Sequence, residues 1–518
     1  MKEINKALLL LILIFTITDA IAQKEVLSIP FGYKSTFYDS KESLAISNKA
    51  TGGLVLFIED SDVSKAFLLD ANLVLKGEIF CQNLPNAFKE FIGHQINTDG
   101  SYSIFYTNNS KKKLGELNIN FLKKNATAQT LDFKLKKEAY VESISHNGKF
   151  YFMSATRGTS DLNFYCFNDG KISNKNTISL DFLEEIKNDY LKKAFDLLVS
   201  KAFTHGSLVK MDNETPNAIE TTSRPHKLYI IDDKFVFTFD NNKKDTKIVS
   251  VNPDTFDFNV LNVDQPEIDG VSEFINHNSY LYDDKIFQIK SSSSSMRFTV
   301  KDYRTQELIK EIVLNKEDSI TFKNTPIIQE GPAFIAGKRT RKMEATSKFL
   351  RKISAGDIGI AVHKKNNKNR ITLGSKKEIR SGGAMMPMGG FGGIPMGGFG
   401  PLSASFNPTF FAYGGYSSTK TVRIECLFNN DFQHIEGDIP DNVFDDIKAF
   451  EDTFTEITSV TKEKNNEPTD DIYGIESFDE DDSSNKPKLK NVFRHDDKLY
   501  FGFIGSQDKN YHLIEFED

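Results

Sequence analysis

An all-β fold assembled from a repeated hairpin unit is what this 518-residue sequence predicts, and three observations carry the prediction. Asn147-Gly148 separates Ser145-His146 from Lys149-Phe150-Tyr151-Phe152, and a second aromatic run follows at Asn163 to Phe167. Asn-Gly tolerates the positive φ of a tight hairpin turn, and aromatic runs suit a pleated, half-buried surface. The unit then recurs, with Gly52, Gly100 and Gly148 spaced 48 residues apart and Asp-Asp-Lys copies at 232–234, 283–285 and 496–498. Finally, each copy runs into another apolar stretch about a dozen residues on, as Lys247 to Val251 does after the turn at Asp233.

Several short strands per unit at this period predict the blades of a β-propeller, whose four-stranded units take about 40–50 residues. Discounting the segments that break the rhythm, seven blades fit best, with six and eight as the neighbouring counts. A string of β-sandwich domains is the competing architecture.

In chain order, Met1 to Ala22 reads as a secretory signal peptide. A short charged start is followed by the apolar run Ala7 to Ile17 and an Ala-x-Ala pattern ending at Ala22. The mature chain, 23–518, is expected to begin at Gln23. Val26 to Ser40 is a spare extended segment, and only two strands fit after the last turn. An N-terminal strand completing the last blade would remove two open sheet edges and close the ring.

Four insertions interrupt the period. At 181–223, Asp181 precedes Phe182, Ile186, Leu191, Phe195, Leu198 and Ala202 at helical spacing, which predicts an amphipathic helix. Residues 320–344 do not look like blade. The sixth copy should lie in 345–436, with strands at Asp357 to His363, Arg370 to Gly374, Thr409 to Tyr413 and Thr421 to Phe428. Within that stretch, 381–404 is a Gly/Met/Phe-rich loop that repeats Pro-Met-Gly-Gly-Phe-Gly. The fourth, 437–488, starts a helix near Asp441 with Val443, Ile447, Phe450, Phe454 and Ile457 on one stripe. Its second half is an acidic loop too poor in apolar residues to order itself.

Composition narrows the partners. A net charge of −7 offers no electrostatic footprint for nucleic acid. No stretch after the leader is long and apolar enough to span a membrane. Cys81, Cys166 and Cys426 are too few and too widely spaced for a disulfide framework, and they allow at most one bridge. No Trp is present for stacking on sugars.

Catalytic signatures are missing from the sequence: there is no Gly-x-Ser-x-Gly elbow, no His-Glu-x-x-His zinc helix and no regular calcium loop. Gly331 to Thr340 imitates a phosphate loop, but five residues separate its glycines and Arg339 replaces the magnesium-binding hydroxyl. His94, His226 and His277 each stand five or six residues before a turn, on the strand that is innermost in a propeller blade. There they would either form a metal-binding ring of imidazoles or serve as repeated polar residues on a strand edge. For the Gly/Met/Phe loop, three uses compete. It would fold back over the blades with Met as gap-filler, present Met385, Met386, Met388, Phe391, Met396 and Phe399 to a partner, or hold a soft metal on its thioethers. No cofactor is called for.

The period and the turn residues, Asn147-Gly148-Lys149 and the three Asp-Asp-Lys copies, resemble bacterial extracytoplasmic β-propeller repeat proteins over most of the mature chain. The resemblance is architectural and implies no enzymatic family. The expectation is a secreted or periplasmic module that binds a protein, another cell-envelope component or a ligand without catalysis. The alternative is a channel-centred hydrolase or lyase acting on a polymer.

Overall fold

The computed structural model describes residues 23–32, 43–59, 64–81, 85, 87–88, 90–187, 189–199, 208–268, 275–330, 340–376, 407–417, 421–465, 487–505 and 507–517. The leader, the Gly/Met/Phe loop at 381–404 and the acidic stretch 466–486 lie outside them. Among the described residues are seven sheets of four or five strands, numbered here by chain order. The chain divides into two compact units: Met1–Glu78 with Asp445–Asp518, and Ile79–Phe444.

The smaller unit holds the first and seventh sheets. The first runs in sequence order through Ser43–Asn48, Gly53–Glu59, Ser64–Leu69 and Leu75–Cys81. In the seventh, Lys488–His495, Lys498–Ile504 and Asn510–Phe516 are joined by the N-terminal strand Gln23–Pro30. That strand runs antiparallel to the last one, from Gln23 opposite Phe516 to Pro30 opposite Asn510. Leu54, Leu56 and Phe67 of the first sheet share a core with Tyr500, Tyr511 and Leu513 of the seventh. A helix over Val443–Asn465 lays Phe450 against Phe501, Phe503 and Phe516.

The larger unit holds the other five sheets. The second (Glu90–Thr130), third (Glu138–Ser179) and fifth (Asn276–Asn315) are four-stranded and antiparallel throughout, with strands in sequence order. The fourth spans Val209–Asp264 and adds a short parallel strand, Val209–Lys210, beside His226–Ile231. Burial is graded across each sheet. The second strands Tyr102–Thr107, Lys149–Thr156 and Lys234–Phe239 are buried nearly throughout, whereas the outer strands Asn125–Thr130, Lys171–Ser179 and Phe258–Asp264 are largely exposed. A strand buried on both faces needs a neighbour on each side, and aromatic pairs supply it. Phe105 stacks on Phe150 at 4.2 Å, Tyr151 meets Phe235 edge-on, and Tyr229 meets Tyr280. Consecutive four-stranded antiparallel sheets packed face to face are the arrangement of propeller blades.

The hairpin turns follow the chemistry read from the sequence. Asn147 and Gly148, Asp232 and Asp233, and Asp283 and Asp284 all have φ between 47° and 73°, as a two-residue turn with both centres left-handed requires. The sixth sheet supplies the missing copy at Asn366-Asn367, φ 51° and 59°, between Asp357–Lys365 and Lys368–Lys376.

Three expectations need correction. The described residues of 181–223 do not form one amphipathic helix. They form a 3-10 turn at Asp181–Leu183, a hairpin of Glu185–Lys187 with Tyr190–Lys192, and helices of five and four residues at Ala194–Leu198 and Ile219–Thr222. Asp189 turns left-handed at φ 62°, and Ile186 pairs with Leu191 across the hairpin instead of sharing a helical stripe with it. Residues 320–344 do belong to a sheet: Ile327–Glu330 pairs with Thr421–Phe428, and Thr340–Met343 pairs with Ile327–Glu330, completing the sixth sheet from upstream. Thr409 to Tyr413 lies in the helix Pro408–Ser417, not in a strand.

Residues 208–223 run along the first strands of four sheets. Lys210 Nζ donates to the Ser143 carbonyl of the third sheet at 3.0 Å, and Val209 lies beside Lys227 of the fourth. Asn213 Nδ2 donates to the Leu281 carbonyl of the fifth, and a Cβ on Gly359 of the sixth would sit 2.9 Å from the Ser223 nitrogen.

Close packing at the second sheet gives a first prediction. A Cβ on Gly93 would lie 2.2 Å from Phe150 Cε2, and Phe150 is itself held against Phe105. Gly93→Ala should therefore lower stability by about 1–3 kcal/mol in urea unfolding, through overpacking. A midpoint equal to that of the parent would refute the rigidity of this contact.

Candidate binding site

The turns that mark the repeat also tie neighbouring sheets together. His146 Nε2 lies 3.3 Å from Asp233, and Asn147 Nδ2 donates to the same carboxylate. Lys149 pairs with Asp254 at 2.7 Å, and Lys364 with Asp283 at 3.6 Å. Arg304, in the turn at the end of the fifth sheet, bridges Asp232 at 2.6 Å and Asp284 at 3.1 Å. Asp232, Asp233 and Asp283 thus meet donors or cations of an adjacent sheet as well as turning the chain, while Asp284 meets one of its own sheet.

A second kind of tie is buried. Asp240 of the fourth sheet accepts from the Ser279 amide at 2.9 Å and the Ser279 hydroxyl at 2.7 Å, both in the fifth sheet. Thr246 Oγ1 and Gln265 Nε2 donate to its other oxygen at 2.7 and 3.2 Å. Lys227 Nζ, with no exposed side-chain surface, lies 3.6 Å from Asp240 and donates to Asn278 Oδ1 at 2.6 Å. Burial pushes the Lys227 ammonium down to about 8, against the opposing pull of Asp240.

The histidines singled out from the sequence fall into this scaffold. His226 and His277 both feel the Asp240 carboxylate, while His94 sits on the second sheet, its backbone amide donating to Ser145 Oγ at 2.7 Å. Burial lowers the pKa of His277 and pushes those of His94 and His226 down to about 4, so these two rings are neutral at pH 7. No group of three or more His, Cys, Asp or Glu side chains is placed to hold a metal among the described residues. Met385, Met386, Met388, Phe391, Met396 and Phe399 lie outside the described residues. The three cysteines are unbridged, and burial raises the Cys426 thiol above its ordinary range.

Buried charges also gather between the second and third sheets. Lys210 lies 3.4 Å from Glu142 and Lys111 3.4 Å from Glu90. Tyr140 OH donates to Glu142 Oε1 at 3.1 Å, and burial raises its pKa well above the ordinary value. In the sixth sheet Arg423 grips Glu330 with two nitrogens at 2.7 and 3.0 Å, and Arg370 grips Glu425. In each set the charges face one another.

A cavity of about 570 Å³ lies where the fourth sheet meets the turn Tyr303-Arg304 of the fifth. Its volume falls within the range of small-molecule sites, roughly 300–1,000 Å³. Ile231, Val236, Ile248 and Leu261, one from each of four adjacent strands, give it an apolar floor, because alternate residues along a strand point to one face. Phe258, 41% exposed, opens the outer strand beside it. Asp232, Lys234, Ser250, Asn252, Thr255, Asp257, Asn259 and Arg304 add polar groups. Asn252 Oδ1 accepts from the amides of Asp254 and Thr255, which fixes the loop that forms one wall. The lining carries the hydroxyls of Ser250, Thr255 and Tyr303 and the carboxylates of Asp232 and Asp257. Sequence reading missed this site, since its walls come from separate turns of two sheets.

No known family's profile matches the chain, and no curated protein matches it. Solved structures similar to it include apo AztD from Citrobacter koseri, at 13% identity over 52% of this chain and 59% of that one, TM-score 0.24. The alignment therefore spans less than two thirds of the AztD chain. The β-propeller domain of the Trilobed protease from Pyrococcus furiosus aligns at 10% identity over 65% of this chain and 79% of that one, TM-score 0.25. An oligogalacturonate lyase in complex with manganese aligns at 8% identity over 96% and 97%, TM-score 0.31. Likeness at this level carries no inference about ligand or activity. No helix among the described residues is long and apolar enough to cross a membrane.

Proposed function

We propose that the chain is a seven-bladed β-propeller, closed by its N-terminal strand and exported from the cytoplasm, that acts as a non-enzymatic binding module. Seven sheets and the pairing of Gln23–Pro30 with Asn510–Phe516 support the architecture. The leader pattern of residues 1–22 supports export. The observation that carries the binding role is the cavity, which joins an apolar floor to a rim of hydrogen-bonding and charged groups. The Gly/Met/Phe segment 381–404 is assigned a contact role on its composition, since Met and Phe at that density exceed what a solvated linker uses.

The test is a thermal-shift screen of small metabolites and peptides against the parent protein and Ser250→Trp, which fills the cavity. At least one compound should raise the parent's transition and leave the variant's unchanged. A screen without a hit, or hits that stabilise both proteins equally, would remove the cavity as the site.

A further inference from the structure

The lining of this cavity has two charges left over. Asp232 and Arg304 pair with each other at 2.6 Å, and Arg304 also reaches Asp284 at 3.1 Å. Lys234 and Asp257 line the same cavity, and neither has an ion-pair partner among the described residues. Lys234 opens the second strand of the fourth sheet directly after the Asp232-Asp233 turn, and Asp257 immediately precedes the outer strand. Both are exposed and so open to an incoming ligand, with their charges screened by salt.

We infer that the cavity takes a short apolar peptide with free termini, of about dipeptide size; this rests on reading the cavity as the binding site. The Asp257 carboxylate would receive the peptide's ammonium and the Lys234 ammonium its carboxylate. Half-buried Ile231 and Leu261 would receive its side chains, with Phe258 at the mouth; Val236 and Ile248 are already buried. Asn252 contributes a donor for a peptide carbonyl, because its Oδ1 is already engaged by the amides of Asp254 and Thr255 while its Nδ2 is not. One unpaired charge of each sign, beside a paired set, complements a zwitterion. A purely anionic or purely cationic ligand would leave one of the two facing its own sign.

The probe is Leu-Leu in isothermal titration calorimetry at low salt, beside N-acetyl-Leu-Leu, Leu-Leu-amide and Gly-Gly. Binding of Leu-Leu is expected, with Gly-Gly at least tenfold weaker for want of apolar burial. Acetylation and Asp257→Asn should each weaken binding about tenfold, and the acetylated peptide should lose nothing more in that variant. Amidation and Lys234→Met should be related in the same way. Capped peptides that bind as well as the free one, or variants that bind it unchanged, would overturn the assignment of the termini. If no dipeptide binds while other compounds still stabilise the parent and not Ser250→Trp, the ligand class is wrong and the site stands. If nothing discriminates the parent from Ser250→Trp, both readings fall together.

Discussion

Asp240→Ala is expected to lower stability by about 3–5 kcal/mol, the largest loss for any single substitution considered. The carboxylate satisfies four donors, the Ser279 amide and hydroxyl, Thr246 Oγ1 and Gln265 Nε2, and faces the Lys227 ammonium at 3.6 Å. Removing it leaves a wholly buried cation with Asn278 for company and strands a backbone amide of the neighbouring sheet. The loss should be read from urea midpoints. The double variant Lys227→Met with Asp240→Ala should lose less than the two single losses added, by more than about 1 kcal/mol, because the uncompensated charge is gone. Additive losses would mean that Lys227 and Asp240 do not act as a pair.

Mild acid should destabilise the fold through imidazoles that are buried without charge. Burial holds His94 and His226 at about 4 in the folded chain, against an ordinary value near 6.5. Between those values the unfolded chain binds more protons than the folded one, so stability falls as pH falls from about 6.5 towards 4. Each ring contributes a loss of about 2 kcal/mol between pH 7 and pH 5. The carboxylates whose pKa is lowered in the fold, Glu138, Glu425, Asp70, Asp99, Glu184 and Asp302, lose their contribution below their ordinary range and leave this window to the histidines. Around His226 the Asp240 charge favours protonation while Lys227 and Lys192 oppose it; Lys210 opposes it at His94. Urea midpoints at the two pH values should therefore differ by about 2 kcal/mol less in His226→Gln than in the parent. An equal pH dependence would mean that the folded His226 ring titrates near its ordinary value.

Much of the scaffold was legible because its signals are local. Asn147-Gly148 and the Asp-Asp-Lys copies name their turns through a backbone preference that no distant residue has to supply. The same reasoning overlooked Asn366-Asn367, which adopts the same left-handed pair without a glycine or an Asp-Lys signature. It misread 182–202, where apolar residues fall at helical spacing by coincidence and the Asn188-Asp189 turn signal outweighs them. Of the candidate site little was legible. His226 and His277 drew notice for their spacing and turned out to surround Asp240, whose role as an anchor between sheets has no sequence motif. Lys234 was noticed only as the close of a turn motif, and Arg304 has no counterpart in the repeat.

From residue order alone came the all-β class, the hairpin rhythm near 48 residues and the segments that interrupt it. These rest on φ preferences and on alternation along single strands, both properties of a few neighbouring residues. Only the tertiary structure decided that Ile327–Glu330 joins Thr421–Phe428, and which residues of the expected N-terminal strand pair with the last one, Gln23–Pro30 with Asn510–Phe516. Ladder hydrogen bonds are made by backbone groups that every residue carries, so the sequence does not name a distant partner strand. The cavity depends on the same choice: packing brings Tyr303 and Arg304 of one sheet to Asp232 of another, and leaves Lys234 and Asp257 without an ion-pair partner among the described residues.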